Sequence, residues 1–273
     1  MTNKIIFLTG SSSGIGWELL KKLLQEKHFL ILPIRNYHQK EHLKELVKIY
    51  KDNIDVIEMD LGNLNSLTNQ DIWNKIKQYP RIDILINNAG IYTHKKHLQN
   101  GIELQWLVNY IAPAYLSLQL LDLLSKSESP LVLFVSSRMH YMANIDFEDL
   151  QYSKYYSGQL AYANSKFAIT SFSLYLGEHF KNIRSNSCHP GVYSTGITRD
   201  LPFLIKFLWN AFIPGPKEGA EILYQLLFHP QYNQQTGKYF DKLKISKAHK
   251  DCSNKEIQQK LLDFLKQTIG IFK

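Results

Sequence analysis

Short apolar runs and amphipathic stretches take turns along the whole chain. Runs at 5–8, 29–34, 54–59, 82–86, 131–135 and 183–188 have the length of strands buried on both faces, and a last one follows around 237–240. Between them the apolar positions fall at helical spacing. Trp17, Leu20 and Leu24 line one stripe; Leu43, Leu46, Val47 and Tyr50 line another; Leu67, Ile72 and Ile76 a third. A longer, mostly apolar helical pattern covers 101–124, with Pro113 inside it. Phe172, Leu176 and Phe180 extend a helix that begins before residue 162, and further helices are predicted over 216–228 and about 254–268 through Ile257, Leu261, Phe264 and Leu265. Strand and helix in strict alternation predict an α/β fold, a doubly wound parallel sheet of about seven strands.

Composition adds little to this picture and removes several alternatives. At 273 residues with 44% hydrophobic content, one domain over 1–273 has enough apolar material for a core. Linkers, repeats and low-complexity tracts are absent from the sequence. Cys188 and Cys252 stand far apart and neither belongs to a C-x-x-C pair, which argues against a zinc site or a redox couple and for a reducing, cytoplasmic setting. Met1-Thr2-Asn3-Lys4 leads directly into the first strand, leaving no room for a signal peptide, and no run reaches the roughly 18 apolar residues of a membrane span. The net charge of +8 is scattered along helices rather than gathered in a basic arm, so nucleic acid is not an expected partner.

Candidate chemistry gathers where strands end. Thr9-Gly10-Ser11-Ser12-Ser13-Gly14-Ile15-Gly16 joins the first strand to a helix, and such a glycine-rich turn lets backbone N–H groups approach a pyrophosphate at a helix N-terminus. The second strand ends in Ile34-Arg35, where a guanidinium rather than an acid would meet the adenosine ribose; this favours NADP(H) over NAD(H), against the alternative of a solvent-facing arginine. In the turn Asp60-Leu61-Gly62, Asp60 either accepts from an adenine amino group or caps the helix that follows. Small residues in Asn87-Asn88-Ala89-Gly90 would let a cofactor lie across the strand ends, and Pro190-Gly191 with Thr195 falls at the same edge. His189 reads as a structural histidine, and no metal site is expected. Pro113 cannot donate to the carbonyl of Asn109, so the helix should bend at Asn109. Ser137, just past the fifth strand, is a candidate oxyanion donor. Tyr162 and Lys166, one helical turn apart, form a phenol–ammonium pair; Tyr92 and Lys96 repeat the spacing without a cofactor turn upstream. An exposed ammonium alone does not bring a phenol from about 10 to about 7, so a cationic cofactor ring would have to contribute.

Taken together, Thr9–Gly16, Asp60, Asn87–Gly90, Asn109, Ser137, Tyr162-x-x-x-Lys166 and Pro190-Gly191 resemble the short-chain dehydrogenase/reductase family from the first strand to about residue 240. The long interval between Ser137 and Tyr162 is similar to the retinol-dehydrogenase-like branch. So are His140, Asp146-Phe-Glu-Asp-Leu150, His189-Pro-Gly191, Gly215-Pro-Lys-Glu-Gly-Ala220 and Thr236-Gly-Lys-Tyr-Phe240. The branch includes members acting on varied carbonyl compounds, so retinoid chemistry does not follow. The resemblance implies that Tyr162 passes a proton to or from the substrate oxygen and that Lys166 lowers its pKa and holds the nicotinamide ribose. It also implies that Ser137 bonds the carbonyl and Asn109 anchors a water linking Lys166 to solvent. The implied activity is alcohol–carbonyl interconversion on a hydrophobic small molecule with NADP(H); the alternative is a catalytically idle NADP(H)-binding regulatory or scaffold protein. Helices like the one carrying Tyr162 often pack between subunits in this family, so the resemblance admits a homodimer, while the sequence does not decide between monomer and dimer. The apolar segment 201–212, inside a predicted lid over 196–214, should cover the substrate pocket, with a peripheral membrane contact as the alternative.

Overall fold

The computed structural model of the chain describes residues 3–191 and 215–270. Thr195, the predicted lid and the apolar segment 201–212 lie outside the described residues. Strands β1 (Ile5–Leu8), β2 (Phe29–Ile34), β3 (Ile54–Glu58), β4 (Ile84–Asn87), β7 (Leu131–Val135), β8 (Arg184–His189), β9 (Lys238–Asp241) and β10 (Lys244–Ser246) form one sheet in the order β10-β9-β8-β7-β4-β1-β2-β3. All neighbours pair in parallel except β9 and β10. The sheet thus has eight strands among the described residues instead of about seven. The extra one is a three-residue edge strand folded back by Lys242, whose φ of 55° makes the turn. Too short and too exposed to show a pattern, it is defined by its pairing with β9.

Burial on both faces is visible residue by residue. Leu85 belongs to one core with Phe7, Ile31, Val132 and Phe134, while its neighbours Ile84 and Ile86 belong to the other with Ile6, Leu8, Leu30 and Leu133. Successive side chains of a strand point to opposite faces, which is why these strands read as continuous apolar runs. Helices α1 (Gly14–Gln25), α2 (Glu41–Ile49) and α9 (Pro216–Phe228) cover one face. The other carries α3 (Leu64–Leu67), α4 (Gln70–Ile76), α5 (Leu104–Trp106), α6 (Ala112–Gln119), α7 (Leu121–Ser125), α8 (Gly158–His179) and α10 (Lys255–Ile269).

The predicted helix over 101–124 is corrected in two places. Its start is a hairpin of β5 (Leu98–Gln99) and β6 (Ile102–Glu103), turned by Asn100 and Gly101 at φ of 53° and 78°. Further on, the bend expected at Asn109 takes the form of a π-turn over Leu107–Ile111, in which the Ala112 N–H bonds the Leu107 carbonyl directly before Pro113. One residue is wound in extra, and the Asn109 side chain ends up inside, 1% exposed.

α10 begins at Asn254, whose side chain accepts from the N–H groups of Glu256 and Ile257, and ends at Gly270 in the left-handed region. It lies against the π-turn and α8. The Tyr110 hydroxyl donates to the Leu261 carbonyl at 2.7 Å, and Trp106 meets Phe264 edge-on at 5.5 Å.

Candidate active site

Two loops at the carboxyl ends of β1 and β4 are stitched together. The Thr9 hydroxyl oxygen accepts from the N–H groups of Asn88 and Ala89 at 3.0 and 2.9 Å, and the Asn88 amide donates to the carbonyls of Thr9 and Gly10 at 3.0 and 3.1 Å. A β-carbon on Gly16 would lie 2.2 Å from the Gly10 oxygen, so only glycine lets α1 start this close to the turn. Ser13, the N-cap of α1, gives no side-chain hydrogen bond, and the first N–H groups of the helix are left for another acceptor. Beside them the Ser11 hydroxyl is buried without a partner. This cradle of uncapped N–H groups and an orphaned hydroxyl fits the pyrophosphate of a dinucleotide. Ser12, whose carbonyl meets His42 Nε2 at 3.0 Å, Gly14 and Ile15 complete it.

Arg35 is the first residue after β2, exposed, with no ion pair among the described residues. The Asp60 carboxylate accepts the Gly62 N–H at 2.9 Å, and Asn63 rather than Asp60 caps the following helix α3. Of the two readings of Asp60, helix capping is therefore excluded. Leu61 is half-buried beside it. The Asn87 amide reaches the Ser117 hydroxyl of α6 at 3.2 Å while its Oδ1 is buried without a partner, and Asn88 is the residue whose side chain meets the glycine-rich turn. Ala89 and Gly90 follow at the strand edge, as do Pro190 and Gly191 after β8, with Gly191 at φ of 120°.

The catalytic candidates meet on one side of this edge. Helix α8 is buried along most of its length, and Tyr162 and Lys166 are 7% and 3% exposed. The Ser137 hydroxyl lies beside the Tyr162 phenol and favours its anion. Ser136 turns the other way, to Thr170 at 2.6 Å. Lys166 Nζ donates to the Val135 carbonyl at 2.9 Å and lies 5.6 Å from the centroid of the Tyr162 ring. Asn109 straps Ile91 to α8: Oδ1 accepts the Ile91 N–H at 2.8 Å, and Nδ2 donates to the Ile91 carbonyl and the Ser165 hydroxyl at 2.9 and 3.0 Å. A β-carbon on Gly90 would fall 3.2 Å from Lys166 Nζ and 3.3 Å from Asn109 Oδ1, so glycine keeps a gap open between the three.

Burial pushes the Tyr162 phenol up to about 12, opposed by the Ser137 hydroxyl and reinforced by Tyr92, and burial pulls the Lys166 amine down to about 8. The expectation that Lys166 lowers the phenol is not met by protein groups alone, because the amine is aimed at Val135 and desolvation dominates both residues. A cation brought in beside them would have to reverse the balance.

Tyr92, set aside in the sequence, belongs to this neighbourhood after all. Its ring meets Tyr162 edge-on at 5.4 Å, and its hydroxyl meets His94 Nδ1 at 3.2 Å. Its apparent partner Lys96 instead donates to the Tyr152 carbonyl at 2.8 Å. The one signal in the sequence was proximity, two positions after Gly90. His189 is buried, and burial pulls its imidazole down to about 4. Among the described residues no three His, Cys, Asp or Glu side chains gather to hold a metal ion, and no helix is long and apolar enough to cross a membrane.

Comparison with known proteins agrees with this architecture. The family model described as short chain dehydrogenase matches residues 4–202. Retinol dehydrogenase 14 of Mus musculus is 30% identical over the whole chain and 88% of its own length. Polyprenol dehydrogenase of Homo sapiens is 28% identical over 95% of this chain and 83% of its own. In three dimensions the chain is similar to a short chain dehydrogenase from Burkholderia cenocepacia solved in complex with NADP, with a TM-score of 0.68, 16% identity, and coverage of 88% of this chain and 96% of that one. With the family model spanning most of the chain and the relatives aligned nearly end to end, the protein belongs to the short-chain dehydrogenase family, in its retinol-dehydrogenase-like branch.

Proposed function

We propose that this oxidoreductase interconverts an alcohol and a ketone or aldehyde on an apolar molecule, using NADP(H) in preference to NAD(H). The observation that carries the reading is the meeting of the Ser137 hydroxyl with the Tyr162 phenol beside Lys166, at the strand edge that also holds the glycine-rich cradle. In reduction Tyr162 gives its phenolic proton to the substrate oxygen, and in oxidation the phenolate takes it back. Ser137 donates to that oxygen and fixes the carbonyl against the phenol. NADP(H), when bound, supplies or accepts the hydride. Lys166 would hold the nicotinamide ribose, Asn109 would keep Ile91 and Gly90 in place beside it and anchor a water to Lys166, and Arg35 would meet a 2′-phosphate. Gly10 to Gly16, Asp60, Leu61, Ala89, Gly90, Pro190 and Gly191 would line the rest of the cofactor site.

An apolar substrate is supported by relatives named for retinol and polyprenol, both apolar alcohols. NADP is supported by Arg35, a guanidinium placed directly after β2 where an acid would favour NAD. The buried free thiols Cys188 and Cys252 support a reducing, cytoplasmic location. Following NADPH absorbance against a panel of aldehydes, ketones and quinones tests the reading. Turnover lost in Tyr162→Phe is the expected result; cofactor binding without turnover on any compound would leave a binding protein instead.

A further inference from the structure

His140 sits behind Ser137 with both ring nitrogens engaged. Its Nδ1 lies 2.6 Å from the Ser137 carbonyl oxygen, and its Nε2 lies 3.1 Å from the backbone nitrogen of His249. A carbonyl can only accept and an N–H can only donate, so the two contacts together require a neutral ring with the proton on Nδ1. The ring is 0% exposed and packs against Tyr141 and Tyr239 at 4.0 and 4.6 Å. Ser137 is thereby held from several sides: its carbonyl also accepts the His140 N–H at 3.1 Å, while its hydroxyl oxygen accepts the Met139 N–H at 3.2 Å and meets Tyr162. On the far side, His249 packs its ring on Phe167, the residue after Lys166, at 5.3 Å, and it leads into a turn whose Cys252 carbonyl is held by Ser171 of α8 at 2.8 Å.

We propose that His140 is a positioning residue: as the neutral Nδ1–H tautomer it clamps the end of β7 to the segment entering the C-terminal helix, and so holds the Ser137 hydroxyl against Tyr162. The catalytic meaning of the clamp rests on the dehydrogenase reading above. Protonation would set an Nε2–H against the His249 N–H and break the far contact. The titratable and charged groups facing the ring are Asp241 and Tyr239 of β9, His249, and Tyr141 of its own turn. Arg138 neutralises Asp241, donating to it at 2.6 Å, and α8 contributes Tyr162 through Ser137. Burial outweighs the Ser137 contact and Asp241 and pulls the imidazole down to about 4, in keeping with a clamp that stays closed at neutral pH.

The test uses the full chain labelled with ¹³C at tyrosine Cζ, the Tyr162 resonance being the one absent from Tyr162→Phe. His140→Phe keeps the ring stack and deletes both nitrogens. It should move the Tyr162 Cζ resonance as Ser137→Ala does, lower kcat about tenfold or more, and leave the NADP(H) Kd within about twofold. His140→Asn, whose amide can still donate toward the Ser137 carbonyl, should recover part of kcat, and it serves as the probe if the Phe variant does not fold. A Tyr162 resonance unchanged in these variants, or ¹⁵N-histidine spectra placing the His140 proton on Nε2, would overturn the clamp. Wild-type protein that turns over no substrate while the resonance moves as described would instead sink the dehydrogenase reading and leave the clamp standing.

Discussion

Lys166 lies within reach of the Tyr162 ring but not in hydrogen-bonding contact with its hydroxyl: the amine sits 5.6 Å from the ring centroid and donates a hydrogen bond to the Val135 carbonyl. With burial holding the phenol at about 12 and the amine at about 8, the protein by itself keeps Tyr162 a proton donor. Oxidation needs the phenolate, so the rate of alcohol oxidation should rise with pH and level off below 12 once the oxidised cofactor adds its positive charge. Lys166→Met should move that profile to higher pH and weaken cofactor binding. Tyr162→Phe should lose several orders of magnitude in kcat, with cofactor affinity little changed. A profile unmoved by Lys166→Met, read from kcat/KM against pH, would mean that the amine only holds the ribose.

The two adjacent serines should separate cleanly. Ser137 faces Tyr162 while Ser136 is bonded to Thr170 inside the core. Ser137→Ala should cost about 10²-fold in kcat, the scale of one lost oxyanion donor, with only the small drop in melting temperature expected from losing its bond to the Met139 N–H. Ser136→Ala should lower the melting temperature and leave kcat near wild type. The opposite pattern would exchange their roles.

Arg35 is exposed at the end of β2 with no ion pair among the described residues. NADP⁺ should bind at least about tenfold more tightly than NAD⁺, about 1.4 kcal/mol, and Arg35→Ala should erase most of the difference. Titration calorimetry with both nucleotides measures it directly, and equal affinities in the wild type would make Arg35 a surface residue only.

Burial holds the imidazoles of His140 and His189 at about 4, below the ordinary value of about 6.5. As pH falls the unfolded chain takes up these two protons first. Their contribution to stability is therefore full above about 6.5 and is lost as pH drops toward 4. Melting temperature should decline across that window, and His189→Gln should flatten part of the slope. A curve flat from pH 7 to about 4 would show that neither ring is held neutral.

Helix α8, of the kind that often packs between subunits in this family, is already covered. The Ser171 hydroxyl on its outer side is bonded to the Cys252 carbonyl, α10 lies beyond, and none of the large apolar residues left exposed among the described residues lies on α8 or α10. A monomer of 31.8 kDa is the expected species in light scattering. A dimer would have to use another face, and cross-links between paired α8 helices would contradict this account.

The buried strands were legible because each is enclosed on both faces, which leaves a continuous apolar run where an open sheet would alternate, as Ile84, Leu85 and Ile86 show. Local chemistry also pointed to the candidate site: glycines that a turn requires, and polar residues placed just past strand ends. Other features depended on contacts between segments distant in the sequence. Lys244–Ser246 is a strand only because β9 is there to pair with, and 98–103 forms a hairpin where apolar spacing alone suggested a helix. Asn87 and Asn88 are chemically identical neighbours, and the strand's alternation sends one to Ser117 and the other to the glycine-rich turn. The sequence brought Tyr162 and Lys166 to one helical face, and that much followed from spacing. Whether they help each other depended on how deeply α8 is buried and on the Val135 carbonyl standing nearer the amine than the phenol does, because desolvation and partner choice are set by the surrounding fold.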